Sequence, residues 1–285
     1  MVDVRTYAVL VLCGQDEKRR ELLKIHDPEG KYPSKVLLPM HGKRVLDWQL
    51  ESMSESPYIG EIFLIGLSPD EFPYPKKLNF ISIERTTTIL EKIILGSQTI
   101  IDKYPELGHL IFCTGDIPGI STESINDFFK ELNKNLSADV LLSAVPEDIT
   151  SQEFPEHNRI VGRFKDRSIS IGEMVALKHT IISPLVVELD QLSELRSQFV
   201  HMSDTSKRML VMRYLATKPR LWMLIIKYLL GSLSIEEVEI ILSRVYGMKL
   251  KISIISDPGF GMDMDLPEDY QKLSDYVLRT KLQVI

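Results

Sequence analysis

Cysteine is scarce in this chain: two in 285 residues, Cys13 and Cys113, each in an apolar, strand-like run. That excludes a disulfide framework and a thiolate zinc site, and it leaves two buried thiols suited to a reducing compartment. The six histidines are scattered, and no pair stands in the His-x-x-x-His spacing of a zinc site. No stretch approaches the roughly 18 consecutive apolar residues of a membrane span. The early run at 7–13 has no basic stretch before it and no small-residue cleavage site after it, so it reads as a strand, not a signal peptide. Positive charge is in deficit, with 34 Lys and Arg against 40 Asp and Glu and a formal net charge of −6. Nucleic-acid-binding domains are usually basic, so no nucleic-acid partner is expected. Internal repeats and low-complexity segments are missing. A soluble, cytoplasmic, globular protein is the expectation.

What is present alternates between strand and helix. Residues 7–13 form an apolar run long enough for a strand buried on both faces. Further strands are expected at 61–67, 79–84, 109–115, 139–145 and 249–255. Helices are expected around Trp48, Leu50 and Met53, from the Thr86-Thr87-Thr88 cap through Ile101, around 125–136, and at about 268–280. This order predicts one α/β domain over 1–285, a Rossmann-like three-layer sandwich with a mostly parallel central sheet. Right-handed crossovers place the loops after Cys13 and Cys113 on one rim. Residues 154–178 alternate in polarity and read as a hairpin at a sheet edge. Residues 184–247 read as a helical insertion broken at Pro219 and Gly231. Within it, 218–230 combines basic residues and Trp222 with a nearly unbroken apolar run. A core helix or a dimer contact is the expected role, and contact with a membrane surface or a lipid-like acceptor is the alternative.

The stretch 109–119 organises the rest. Leu110, Ile111, Phe112 and Cys113 are stopped by Gly115, Asp116 and Pro118. In open α/β sheets ligands bind beyond the carboxyl ends of the strands, where Asp116 would stand. A carboxylate there needs a partner, and a divalent metal holding phosphates is one. A turn aspartate or helix cap is the plainer alternative. Two more features belong to this rim: the basic residues Arg19, Arg20 and Lys35 after the first strand, and the late pair Asp263 and Asp265. Each basic residue has a solvated-face alternative, and Asp263 a capping one. Glu268 and Asp269 read as the start of the last helix.

These motifs resemble the MobA-like nucleotidyltransferases of the GT-A fold. The family's opening Leu-Ala-Gly-Gly stands here as Leu12-Cys13-Gly14-Gln15, followed by Arg19 or Arg20, Lys35-Val36-Leu37-Leu38-Pro39 and Gly42-Lys43. Gly115-Asp116-Ile117-Pro118 is similar to the metal-binding Gly-Asp-x-Pro motif, and Asp263 to Asp269 matches the late Asp-x-Asp-x-Pro-Glu-Asp. The resemblance implies transfer of a nucleoside monophosphate from an NTP donor to a small phosphorylated or hydroxylated acceptor, with release of pyrophosphate. It implies Leu12, Cys13, Gly14, Gln15 and Gly115 at the phosphates, and Arg19 or Arg20 with Lys35 neutralising the triphosphate. Asp116 and Asp265 would ligate Mg²⁺ with Asp263 assisting. Thr87, Thr88 and Ser97 would lie near base and ribose, and Gly172 and Glu173 near the acceptor; the segment from Phe154-Pro155 to Arg159, then Lys165-Asp166 and Ile171-Gly172-Glu173, resembles acceptor-side elements. Departures are Gln15 for the second glycine, Cys13 for the alanine, and a long loop around residues 27–30. A GT-A glycosyltransferase is a rival reading, although Gly115-Asp116-Ile117-Pro118 lacks the second aspartate usual there. A nucleotide-binding protein without turnover is another, kept open by Gln15. A homodimer is the default assembly.

Overall fold

The computed structural model describes residues 6–14, 21–83, 88–182, 218 and 220–283. In chain order the strands are β1 (Tyr7–Leu12), β2 (Pro39–Met40), β3 (Lys43–Arg44), β4 (Ile59–Ile65), β5 (Asn79–Ile81), β6 (His109–Thr114), β7 (Val140–Pro146), β8 (Val161–Arg163), β9 (Ser168–Lys178) and β10 (Leu250–Ile254). The helices are α1 (Glu21–His26), α2 (Val45–Glu55), α3 (Ile89–Lys103), α4 (Thr122–Lys134), α5 (Glu147–Glu153), α6 (Arg220–Leu229), α7 (Ile235–Tyr246) and α8 (Pro267–Val277).

The central sheet runs β10-β7-β9-β6-β1-β4-β5, with β8 paired to β9. Neighbours are parallel except around β9, which is antiparallel to both β6 and β7. Alternate residues of β1 and β6 serve two cores. Val9, Val11, Ile111 and Cys113 pack with Leu46, Leu50 and Phe128 of α2 and α4. Leu10, Leu110 and Phe112 face the other way, with Ile100 of α3. Gly96 lets α3 approach, since a Cβ there would lie 2.4 Å from Leu10. The mostly parallel three-layer α/β sandwich is therefore the architecture, as expected from the both-face-buried strands. Thr88 caps α3 in a reciprocal box with Glu91.

The hairpin is where the structure departs most from expectation. Its short first strand, β8, pairs with β9 alone, but its second strand is not at an edge. β9 runs through the sheet between β6 and β7, with Val175 opposite both Phe112 and Leu142. The polar residues that made it look half-solvated have internal uses: Gly172 packs against Ser143 and Phe260, and Glu173 faces the candidate site. Pro219 and residues 184–217 of the insertion lie outside the described residues. The rest of it is α6 and α7, separated by Gly231 at φ +63°. α6 is not a core helix: Met223, Ile226, Leu229 and Leu230 are exposed. Among the described residues, no helix is long and apolar enough to cross a membrane.

A third apolar cluster joins Leu22 and Leu23 of α1, Trp48 of α2, and Met262, Met264 and Tyr276. It brings the stretch before α8 beside the start of the chain. Lys281 locks the same end. Its ammonium donates to the carbonyls of Ile120 (2.7 Å) and Trp48 (3.2 Å) and to Ser52 Oγ (2.8 Å). Burial pushes its pKa down to about 8. The unfolded chain keeps this proton to about pH 10.4, so the unfolded state binds more protons between those values and stability rises with pH across them. In urea melts at pH 7 and pH 10, the difference between wild type and Lys281→Met is expected to move toward wild type at the higher pH, by up to about 3 kcal/mol.

Candidate active site

The site forms where β6 ends. Gly115 follows the strand, its N–H donating to the Leu12 carbonyl at 3.1 Å, and a Cβ there would meet Cys13 Sγ at 3.1 Å. Gln49, buried on the inner face of α2, holds the turn. Its Nε2 donates to the Thr114 carbonyl at 2.7 Å, and its Oε1 accepts the Ile117 N–H at 3.4 Å. Asp116 is thereby fixed beyond the strand end, only 5% exposed.

Lys35 reaches Asp116 from the 3₁₀ turn Lys35–Leu37. The preceding Ser34 hydroxyl donates to the Gly14 carbonyl at 2.5 Å, tying that turn to the loop after β1. Lys35 Nζ lies 2.5 Å from Asp116 Oδ2 and 2.6 Å from Asp265 Oδ1, and donates to the Met264 carbonyl at 2.8 Å. Burial opposes the lysine's charge, but Asp116 and Asp265 outweigh it and hold the pKa above the usual lysine value.

On the other side of Asp116, Arg159 bridges two acids. Its guanidinium pairs with Asp263 and Glu173 and donates to the Ile171 carbonyl at 3.0 Å. Glu173 also accepts from Thr114 Oγ1 at 3.2 Å. Burial first, and then Asp263, push the Glu173 carboxyl up to about 7 against the pull of Arg159. Burial and Asp116 push Asp263 up to about 6. One guanidinium cannot neutralise two crowded carboxylates, so the pair holds protons that ordinary carboxyls would release.

Carboxylate oxygens of Asp116, Asp263 and Asp265 lie within 4.8 Å of one another. Among the described residues, Asp116 Oδ1 is buried with no hydrogen-bond partner. A buried carboxylate oxygen left so is costly unless a cation takes it. An all-oxygen donor set suits Mg²⁺ or a similar hard cation. The residues fit a divalent metal.

Lys35, Asp116, Asp263, Asp265 and Glu173 thus converge, with Gly14 and Gly115 at the same rim. Leu12 and Cys13 support it from β1, the Cys13 N–H donating to the Ile65 carbonyl at 2.9 Å. Burial pushes Cys13 up to about 12 and raises Cys113 as well, so both are inert thiols, as expected. Gly172 lies beside Glu173, but a Cβ there would strike Ser143 Oγ at 2.6 Å, which is a packing requirement. Ser97 is buried inside α3 with its hydroxyl on the Ile93 carbonyl, and Thr88 serves as a cap. Gln15, Arg19, Arg20 and Thr87 lie outside the described residues. Asp269 starts α8 as expected, accepting the Leu266 N–H at 2.7 Å.

Arg159 and Gln49 carry roles that the sequence reading did not assign. Gln49 left a trace, a polar residue in register with Leu46, Leu50 and Met53 on a buried helix face. Arg159 ends a segment the resemblance sets among acceptor-side elements, but its pairing with two acids left no trace, because a charged residue in an alternating stretch reads as solvent-facing. Lys92, buried on α3 with its charge reaching Cys13, also went unnoticed.

No sequence-family profile and no curated protein matches this chain. Solved structures do. A hypothetical transferase from Thermus thermophilus superposes with TM-score 0.64 at 22% identity, over 93% of this chain and 99% of that one. A CMP:2-keto-3-deoxy-manno-octonic acid synthetase solved with CTP gives TM-score 0.55 at 11% identity, over 96% and 99%. A nucleotidyl transferase from Methanothermobacter gives 0.54 at 12%, over 97% and 99%. Over nearly its whole length the chain shares the α/β fold of these structures. In this chain the acidic centre sits at the carboxyl end of β6, a strand parallel to β1, where open α/β sheets hold their ligands.

Proposed function

We propose that this protein is a Mg²⁺-dependent nucleotidyltransferase of the MobA-like type. It would move a nucleoside monophosphate from an NTP to a small phosphorylated or hydroxylated acceptor and release pyrophosphate. The observation that carries this reading is the partnerless, buried oxygen of Asp116, set among Asp263, Asp265 and Lys35 beyond β6. The NTP donor is supported by the CTP named with one structure of the same fold.

Asp116 and Asp265 would hold the metal with Asp263 assisting. When bound, Mg²⁺ would supply positive charge to offset the negative charge developing during transfer. Lys35 supplies fixed positive charge for the triphosphate and the departing pyrophosphate. Gly14 leaves the backbone open to phosphate oxygens, with nothing among the described residues within 4 Å of a Cβ placed there. Glu173 and Arg159 border the acceptor side. Catalysis would come from holding the acceptor oxygen in line with the α-phosphorus and from charge stabilisation.

Thermal shift with ATP, CTP, GTP and UTP, each with and without Mg²⁺, tests this. A ligand at a hundred times its dissociation constant adds about 2.7 kcal/mol. One nucleotide is expected to stabilise the protein only with Mg²⁺, and Asp265→Ala is expected to lose that shift. No shift with any of the four would overturn the reading. A shift without pyrophosphate release in any acceptor mixture would favour a binding protein that does not turn over.

A further inference from the structure

Between α3 and α7 the sheet carries a cavity of about 420 Å³. Its floor is one face of the central strands: Phe112 of β6, Leu142 of β7, and Val175 and Leu177 of β9. Ile93 of α3 and Leu242 of α7 stand at its sides. Central strands of a three-layer sandwich are ordinarily covered on both faces, yet Leu142 and Val175 are only half-buried. The volume falls within the roughly 300–1,000 Å³ of cavities that enclose small ligands.

The cavity has a direction. Among the described residues lining it, Glu173 is the only charged one, and it stands beside Thr114 at the end where β6 runs out toward Asp116. The Glu173 carboxylate joins this end to the acidic centre through Arg159 and Asp263. Glu173 at the mouth, as carboxylate or carboxylic acid, can hydrogen-bond a hydroxyl and offers a phosphate head no positive charge. Arg159, shared between two carboxylates, has no charge to spare for one. An uncharged hydroxyl is the head group this end accepts, and an apolar chain is what the remainder accepts.

We propose that this cavity holds the chain of a long-chain alcohol and presents its hydroxyl beside Glu173 as the acceptor. The alcohol oxygen bonds to the α-phosphorus of the NTP and the α–β bridging P–O bond breaks. Pyrophosphate leaves with the electron pair, and the hydroxyl proton passes to water. The acceptor role rests on the nucleotidyl-transfer reading; binding of the alcohol does not.

Fluorescence titration with a nitrobenzoxadiazole-labelled dodecanol tests it, run beside the Mg²⁺–NTP thermal shift. Wild type is expected to bind the probe saturably at one site. Val175→Phe, which fills the floor, and Leu242→Lys, which charges the wall from a half-buried helix position, are each expected to weaken binding at least tenfold. Both should keep the nucleotide shift. Absence of saturable binding, or binding that neither substitution weakens, overturns the proposal. A nucleotide shift without probe binding removes the cavity and leaves nucleotidyl transfer standing. Probe binding that responds to both variants, without any nucleotide shift, does the reverse.

Discussion

Asp116→Asn is expected to slow pyrophosphate release at least about a hundredfold while leaving the melting temperature within about 3 °C of wild type. The two halves of this expectation come from the two oxygens of one side chain. Oδ1 is buried and partnerless, so it contributes nothing to the fold except an unpaid desolvation cost. Oδ2 holds Lys35, but Lys35 keeps Asp265 at 2.6 Å and the Met264 carbonyl at 2.8 Å when Asp116 is neutral. Asparagine has the same shape and removes a charge that crowds Asp263 and Glu173. The fold loses little. The site loses the carboxylate that a divalent cation needs most, because asparagine offers only a neutral carbonyl. Pyrophosphate release measured with Mg²⁺ and the stabilising nucleotide, beside a thermal melt of the same preparation, checks both halves. Retained turnover would remove Asp116 from the chemistry. A melt lowered by ten degrees or more would make its role structural.

The parts of the fold that were legible in the sequence are those whose local pattern has one physical reading. β1 and β6 are apolar on both faces and end at Gly14 and Gly115, so their burial and their stopping points follow from the chain itself. Asp116, Asp263, Asp265 and Lys35 were legible because they sit at the breaks between apolar runs, where a charge has no packing use. β9 was misread because alternation means a solvated face only when water is on the other side. Its neighbours β6 and β7 are far away in sequence, and nothing local reveals that they flank it. The hydrogen bonding of Ser97 was not legible either: its hydroxyl is held within its own helix by the Ile93 carbonyl. The ion pairs of Arg159 could not be read because its two partners lie at positions 173 and 263, and long-range pairing leaves no mark on spacing.

That pairing makes Arg159 the source of a second large effect. Its side chain is 19% exposed, and those of Glu173 and Asp263 are 11% and 16%. Arg159→Met is expected to destabilise the protein by about 3–5 kcal/mol at pH 8, since it strands two carboxylates out of water. The groups that face them are Asp116, Asp265 and Lys35, and Lys35 is already held by the first two. The cost depends on pH with a definite sign. Both carboxyls have folded pKa values raised above the unfolded values of about 4. Without the guanidinium these rise further, so the folded state keeps protons that the unfolded state has released between about pH 4 and neutrality. Stability then falls as pH rises across that window. At pH 5, on the acid side of both raised values, the carboxyls carry less charge, and the penalty shrinks toward lost hydrogen bonds of about 1–2 kcal/mol. Urea midpoints at pH 5 and pH 8, taken with chelator so that no cation replaces the guanidinium, read the difference directly. Adding Glu173→Gln to Arg159→Met should recover much of the loss at pH 8, because one uncompensated charge is gone. A penalty that is the same at both pH values would mean that Arg159 holds this region through packing and the Ile171 carbonyl, not through charge.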